Sequence, residues 1–371
     1  MERRRHLVLV AVAAATALVG CGADDALATP SAFDRFAAAT DAGRWRANQN
    51  DVVEVWVCHV PTDTTSPVYG DLPLRLPLAD DTLASLFQQQ VSRYFHTISF
   101  RVYSPTFVPG GELDLGVDDG PDQCAEQALD RSGPASTVVL AVADAEHVEG
   151  EHGGQGSGGV VASAGSPAKV SRRVAYVGGS DFNRATWGDT PPLDLVEHEL
   201  GHTLGWVHSG VTPDGRYVSA LDLMSNSAAP RDVKPSRRDA PDAIAIQRVI
   251  AGWIPAAEVV QAKGASTEVT LSPSTDNAHR ETARLLVLPV DDRHFLMVER
   301  LQNDGYNDHL PTAGLAVHRV TLGDDDLPTA VDPLVGEAPF TALLEQDQTL
   351  DSDGWTITVT ADGAIARPAA G

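Results

Sequence analysis

"HELGHTLGWVH", residues 198–208, gathers three of the chain's twelve histidines into eleven positions. Nothing from Asp194 to His202 breaks a helix, and Asp194 stands where a carboxylate can cap one. Residues four apart lie one above the other on a helix, so His198 and His202 point the same way and can hold one ion between two imidazoles. Glu199 sits beside His198 around the helix, close enough to reach a water on that ion without being a ligand. A helix continued for six more residues would turn His208 away from this face. The chain must therefore turn, and Gly205 stands where a residue with positive φ can end the helix and send Trp206, Val207 and His208 back toward the ion. The spacing predicts a zinc site with His198, His202 and His208 as ligands. Three neutral imidazoles leave zinc its full double charge and one open position, as in catalytic rather than closed structural sites.

The same residues, read as H-E-x-x-H-x-x-G-x-x-H, resemble the zinc signature of the metzincin endopeptidases. That resemblance implies a methionine turn beneath the metal, and "LDLMSNS" supplies Met224 sixteen residues after His208. Ser209, directly after the third histidine, is similar to the matrixin branch. Some metzincins carry a tyrosine two residues after the methionine as an extra ligand or oxyanion donor, and this chain has Asn226 there, which leaves the oxyanion donor unassigned. The resemblance implies that Glu199 is the general base, taking a proton from the attacking water and delivering it to the leaving amine, while zinc polarises the scissile carbonyl. It implies a zinc metalloendopeptidase acting on a protein or peptide substrate. An intact Glu199 separates that enzyme from a reading of another class, a zinc-stabilised surface protein that binds a partner without cleaving it.

The N-terminus, "MERRRHLVLVAVAAATALVGCGADD", carries arginines, an apolar run short for a bilayer, then small residues and a cysteine. Residues 1–20 therefore read as a secretory signal rather than a transmembrane helix. Leu18-Val19-Gly20-Cys21 resembles the bacterial lipobox, which implies cleavage before Cys21 and acyl chains on it. Several chains on one residue would hold the protein stably at the membrane, where one chain binds only marginally. The expected location is extracytoplasmic, on the cell membrane or released from it, and the expected state is monomeric. Residues 21–50, rich in Ala, Asp and Thr, read as a spacer or short pro-segment.

Loss of residues 1–20 would take three arginines and one glutamate from 27 basic and 51 acidic residues, moving the net charge from −24 to −26. A chain this acidic is a poor partner for nucleic acid or anionic lipid. Its charge reads first as solubility and second as a preference for basic substrates. With Cys21 assigned to lipid, Cys58 and Cys124 remain, and in an oxidising compartment such a pair forms a disulfide with only one connectivity.

Element patterns point to an α+β protein, an α/β body over 51–258 followed by a small all-β sandwich-like domain over 264–371, and the first body resembles the metzincin catalytic domain in plan. "VVEVWVCHV", "SFRVYS", "STVVLAVADA" and "RRVAYVGG" read as strands of one mixed sheet. "DDTLASLFQQQVSRYF" reads as a long backing helix with Leu83, Leu86, Phe87, Val91 and Tyr94 on one face. "RRDAPDAIAIQRVIAGW" reads as a C-terminal helix capped by Asp239, with Pro241 in its first turn. The runs "STEVTLSP", "ARLLVLPV", "HFLMVER", "GLAVHRV" and "GWTITVT" read as sandwich strands, with His309 and His318 as surface residues. Residues 250–322, with "AGWI" and "FLMVERLQNDGYNDHLPTAGLAVHRV", loosely resemble the region after the catalytic domain in secreted bacterial immune-inhibitor-A-like metallopeptidases. His147, Glu151 and His152 fit no metal spacing, so 147–159 reads as a loop on the cleft rim. Acidic turns at 118–120 and 323–326 are candidate Ca2+ sites but lack the EF-hand spacing and read better as solvated turns.

Overall fold

In the computed structural model the described residues are 30–41, 51–61, 75–145, 154–162, 171–276 and 282–369. The signal segment, Cys21, His147, Glu151 and His152 lie outside them. Helix α1 (Ala32–Asp41) buries Phe33 and Phe36, whose rings lie 5.5 and 5.9 Å from that of Phe295. Residues 32–41, within the segment expected as a spacer or short pro-segment, thus form a helix packed on the core. Two phenylalanines three apart make a docking stripe within a segment whose composition is otherwise that of a linker.

Strand β1 (Val52–His59) is followed by α2 (Asp80–Gln89), α3 (Val91–Ile98), β2 (Thr106–Asp114), α4 (Pro121–Arg131), β3 (Val138–Ala143), β4 (Gly154–Ala162) and β5 (Ser171–Val177). Their sheet has the order β2-β1-β3-β5-β4, parallel except for the edge strand β4. β1 and β3 are covered on both faces, which is why they read as near-continuous apolar runs. Val53, Val55 and Val57 face a core that includes Leu83, Phe87 and Val91 from α2 and α3. Trp56 and Cys58 face the other way, toward Cys124, Ala128 and Leu129 of α4. The Cys58–Cys124 disulfide ties α4 to that face, with the two Cα atoms 5.9 Å apart.

Several local expectations change. The backing helix breaks at Gln90 (φ −112°, ψ −56°) into two shorter ones, although Leu83, Phe87, Val91 and Tyr94 remain buried. Residues 99–104 form no strand, because Phe100 and Arg101 take positive φ (58° and 67°) and turn the chain. The edge strand β2, for which the sequence patterns carried no reading, holds Pro109, Gly110 and Gly111; an edge tolerates proline, and a Cβ on Gly111 would lie 2.9 Å from Trp56 Cζ3. The glycine run 154–159, read as loop, lies in β4.

Helices α5 (Arg184–Trp187), α6 (Asp194–Thr203), α7 (Ala229–Val233) and α8 (Ala245–Ile250) lead to β6 (Val259–Gln261), β7 (Thr267–Thr270), β8 (Leu285–Pro289), β9 (His294–Leu301), β10 (Gly314–Leu322), β11 (Pro328–Pro333), β12 (Thr349–Ser352), β13 (Trp355–Val359) and β14 (Gly363–Pro368). α8 starts at Ala245, well past Asp239. The preceding residues spend their polar groups elsewhere: Pro241 O accepts the Tyr94 hydroxyl at 2.6 Å, and Asp242 is paired with Arg248.

The five C-terminal runs expected as strands are strands, and they fall into two sheets, β11-β10-β9-β8-β6 and β12-β13-β14-β7. Leu286, Leu288, Leu296 and Val298 point to the second sheet and pack with Trp355, Ile357 and Val359. Leu285, Val287, Phe295 and Met297, on the opposite face, join the core that contains α6. Residues 31–371 thus form one compact unit of mixed α/β structure with several sheets. His309 and His318 are buried rather than at the surface. His309 Nε2 lies 2.8 Å from Ala220 O, while neither ring nitrogen of His318 has a hydrogen-bond partner and burial lowers its pKa to about 4. No helix among the described residues is long and apolar enough to cross a membrane.

Candidate metal centre

α6 carries His198 and His202 on adjacent turns, as their four-residue spacing requires. Its first residue is Asp194, which does not cap it; the carboxylate instead accepts from Ser227 Oγ at 3.2 Å and pairs with Arg231 at 3.1 Å. Burial pushes the Asp194 carboxyl up to about 6, against the opposing pull of Arg231. The helix ends at Leu204, Gly205 takes φ 83°, and the chain returns as expected to bring His208 onto the other two histidines.

The three side chains converge through Nε2. His208 Nε2 lies 3.2 Å from His198 Nε2 and 2.9 Å from His202 Nε2. The opposite nitrogens face acceptors: His198 Nδ1 lies 2.8 Å from Leu223 O, and His202 Nδ1 lies 3.0 Å from Trp206 O. Carbonyls only accept, so both Nδ1 atoms carry the proton and both Nε2 atoms present lone pairs. A proton on His208 Nε2 could serve one of these lone pairs and not the other. A cation at the point of convergence serves all three. Tetrahedral metal–nitrogen bonds of about 2.0–2.1 Å give nitrogen–nitrogen edges of about 3.3 Å, close to the spacing found here.

The electrostatics agree with a ligand role. Burial, followed by the neighbouring His202, lowers His198 to about 3 and His208 to about 4, and burial also lowers His202. All three are therefore neutral near pH 7, the state in which imidazole ligates. Glu199 is 4 % exposed, its Oε2 has no hydrogen-bond partner, and burial pushes its carboxyl up to about 8.

Met224 lies fully buried under α6, where a Cβ on Gly201 would come within 2.6 Å of its sulfur and 2.8 Å of Trp206 Cε3. Its carbonyl accepts from Ser209 N at 3.0 Å, and its neighbour Leu223 holds His198, so this turn braces two ligand-bearing segments. Sequence reasoning missed the clamp around it. Asp222 accepts from Ser209 Oγ at 2.6 Å and Gln247 Nε2 at 3.2 Å, and Gln247 Nε2 also donates to Val207 O at 2.6 Å. The clamp fixes the residues on both sides of His208. Asp222 stands inside "LDLMSNS" and was visible, whereas Gln247 had no signal beyond being a polar residue within an apolar run. Tyr217 was also missed; its ring centroid lies 4.5 Å from that of His208 and its hydroxyl 3.5 Å from Nδ1. Asn226, two residues after Met224, donates its backbone N–H to Ser219 O at 3.1 Å.

Among the described residues, these histidines are the one group of His, Cys, Asp or Glu arranged to hold a metal. In the acidic turns weighed for Ca2+, Asp119 accepts from Gly116 N at 2.8 Å, Asp324 pairs with Arg293 at 2.6 Å and Asp326 pairs with Arg35 at 2.9 Å. No protein-family model matches the chain, and no curated protein matches it.

Proposed function

We propose that the chain is a zinc-dependent endopeptidase of metzincin type. One observation carries the reading: three neutral imidazoles aim their lone pairs at one point, with the unpartnered carboxylate of Glu199 on the same helix. Imidazole suits several transition metals. The preference for zinc comes from the H-E-x-x-H-x-x-G-x-x-H pattern, as does the assignment of Met224 to the methionine turn. Further support comes from a sheet whose only antiparallel member is the edge strand β4, backed by α2 and α3, ahead of the metal-bearing helix.

When bound, zinc supplies Lewis acidity to a water and to the substrate carbonyl. The chain's own part falls to a few residues. His198, His202 and His208 hold the ion; Leu223 O, Trp206 O and the Asp222–Gln247 clamp keep them aimed; Glu199 takes a proton from the attacking water and returns it to the departing amine. The lipid anchor on Cys21 and the location outside the cytoplasmic membrane belong to this proposal, resting on Leu18-Val19-Gly20-Cys21. The Cys58–Cys124 disulfide is consistent with such a compartment.

Incubating the full-length protein with a diverse peptide library, with and without chelator, tests the reading. Chelator-sensitive cleavage is expected. Zinc retention with no cleavage would shift the reading to a zinc-stabilised binding protein.

A further inference from the structure

Strand β11 is the edge of its sheet and belongs to the C-terminal β-region, yet it reaches the metal centre. Gly210 N, two residues past the third histidine, donates to Val331 O at 2.9 Å. Between this strand and the metal-binding loop lies a cavity of about 460 Å3, whose lining includes His202, Trp206, His208 and Val211 on one side and Ala330 and Asp332 on the other. Ala330 and Asp332 are two apart on β11 and half-buried, while Val331 between them turns into the core.

Asp332 is the one acidic residue in this lining. Its cross-strand neighbour is Arg319, which would ordinarily pair with it. Arg319 is instead held by Asp353, at 3.0 Å through Nε and 2.7 Å through Nη2. No hydrogen bond or ion pair engages the Asp332 carboxylate among the described residues, and it is not part of the metal cluster. Burial pushes its carboxyl up, ahead of the opposing effect of Arg319, as expected of a partly desolvated carboxylate short of a counter-charge.

We infer that this cavity is the specificity pocket for a basic side chain of the substrate, with the lysine ammonium or arginine guanidinium paired to Asp332. The inference rests on the endopeptidase reading and names its substrate class. Val207, Val211 and Ala330 offer an apolar sleeve for the methylene stem of such a side chain, and the cation ends on the carboxylate. The chain's net charge of −24 would also draw basic peptides toward the cleft.

The test uses the zinc-loaded full-length protein and peptides that differ only beside the scissile bond, carrying arginine, norleucine or glutamate. The arginine peptide should exceed norleucine in kcat/KM on the order of tenfold. Asp332→Asn, close in shape and checked by unchanged zinc content and circular dichroism, should erase that ratio, and Asp332→Lys should favour glutamate over arginine. Fluorescence anisotropy of the same peptides on Glu199→Gln reads the pocket without cleavage and should show the same order. Equal handling of arginine and norleucine, or a preference that survives Asp332→Asn, overturns the pocket while leaving the endopeptidase intact. If nothing is cleaved but arginine is still bound selectively through Asp332, the pocket stands and the endopeptidase reading falls.

Discussion

Burial and chemistry pull Glu199 in opposite directions. Its desolvated carboxyl is pushed up to about 8, so the protein alone would keep it protonated at neutral pH and useless as a base. A divalent cation among the adjacent histidines reverses that preference, because it is the largest charge nearby and favours the ionised form. The same burial that would waste the group in an empty site keeps water from competing with it in a loaded one. Glu199→Gln leaves every imidazole in place. Zinc content by atomic absorption should stay at one per chain, while peptide cleavage falls by at least about a hundredfold, the lower range of general-base assistance. Cleavage undiminished in this variant would show that another group takes the proton. His202→Ala, in contrast, removes one ligand and leaves the lone pair of His198 with a single partner at 3.2 Å in His208. That variant should lose the metal, and full zinc occupancy after it would mean the ion sits elsewhere.

Among the elements, what could be read from sequence divides along locality. The histidine-bearing helix, the return at Gly205 and the convergence of three histidines follow from spacing within one stretch of eleven residues, where 3.6-residue periodicity and one positive φ decide the geometry. The strands β1, β3, β5 and five strands of the C-terminal region were legible as apolar runs bounded by turn residues. The misses come from contacts that sequence does not order. β2 persists through Pro109 and two glycines because Trp56 lies against them, and α8 starts late because its first N–H is taken by Glu299 from a distant strand. The Asp222–Gln247 clamp likewise joins segments that only the fold makes neighbours. The cysteines were an intermediate case, with connectivity forced by number and geometry left open. β1 and α4, joined by that disulfide, enclose a loop with a sequence separation of 66. Closing a loop of that length stabilises by about 4 kcal/mol in the chain-entropy treatment. The double variant Cys58→Ala, Cys124→Ala should therefore unfold at clearly lower denaturant, by a few kcal/mol. Peptide mapping without reduction should recover the two cysteines in one crosslinked species, and two free thiols would refute the pairing.

The sheet β11-β10-β9-β8-β6 joins the half that carries the three histidines to the C-terminal half, because one face packs toward α6 and the other toward β13 and β14. Where α8 meets this sheet, a single carboxylate spans the junction. Glu299 of β9 is fully buried, accepts Ala245 N at 3.0 Å through each oxygen, and accepts the Ser274 hydroxyl. Burial nonetheless dominates and raises its pKa from 4.5 to about 7, with Ser274, Ala245 and Arg248 pulling the other way. A carboxyl raised in the folded state binds its proton more tightly there than in the unfolded chain. Its contribution is therefore fully present below the unfolded pKa of 4.5 and is lost as pH rises through about 7. Above that, the fold carries a buried charge only partly compensated by its donors. Glutamine at this position can accept from Ala245 through its oxygen and donate to Ser274 Oγ through its amide, with no charge to bury. Stability of wild type and Glu299→Gln, measured by urea unfolding at pH 5, 6, 7 and 8, should diverge in one direction: the variant gains on wild type as pH rises, by up to about 3 kcal/mol for a shift of this size. A difference that stays constant across that range would mean Glu299 remains ionised in the fold throughout, with its donors outweighing burial. A wild type that gains on the variant with rising pH would reverse the sign and locate the junction's stability in the charge itself.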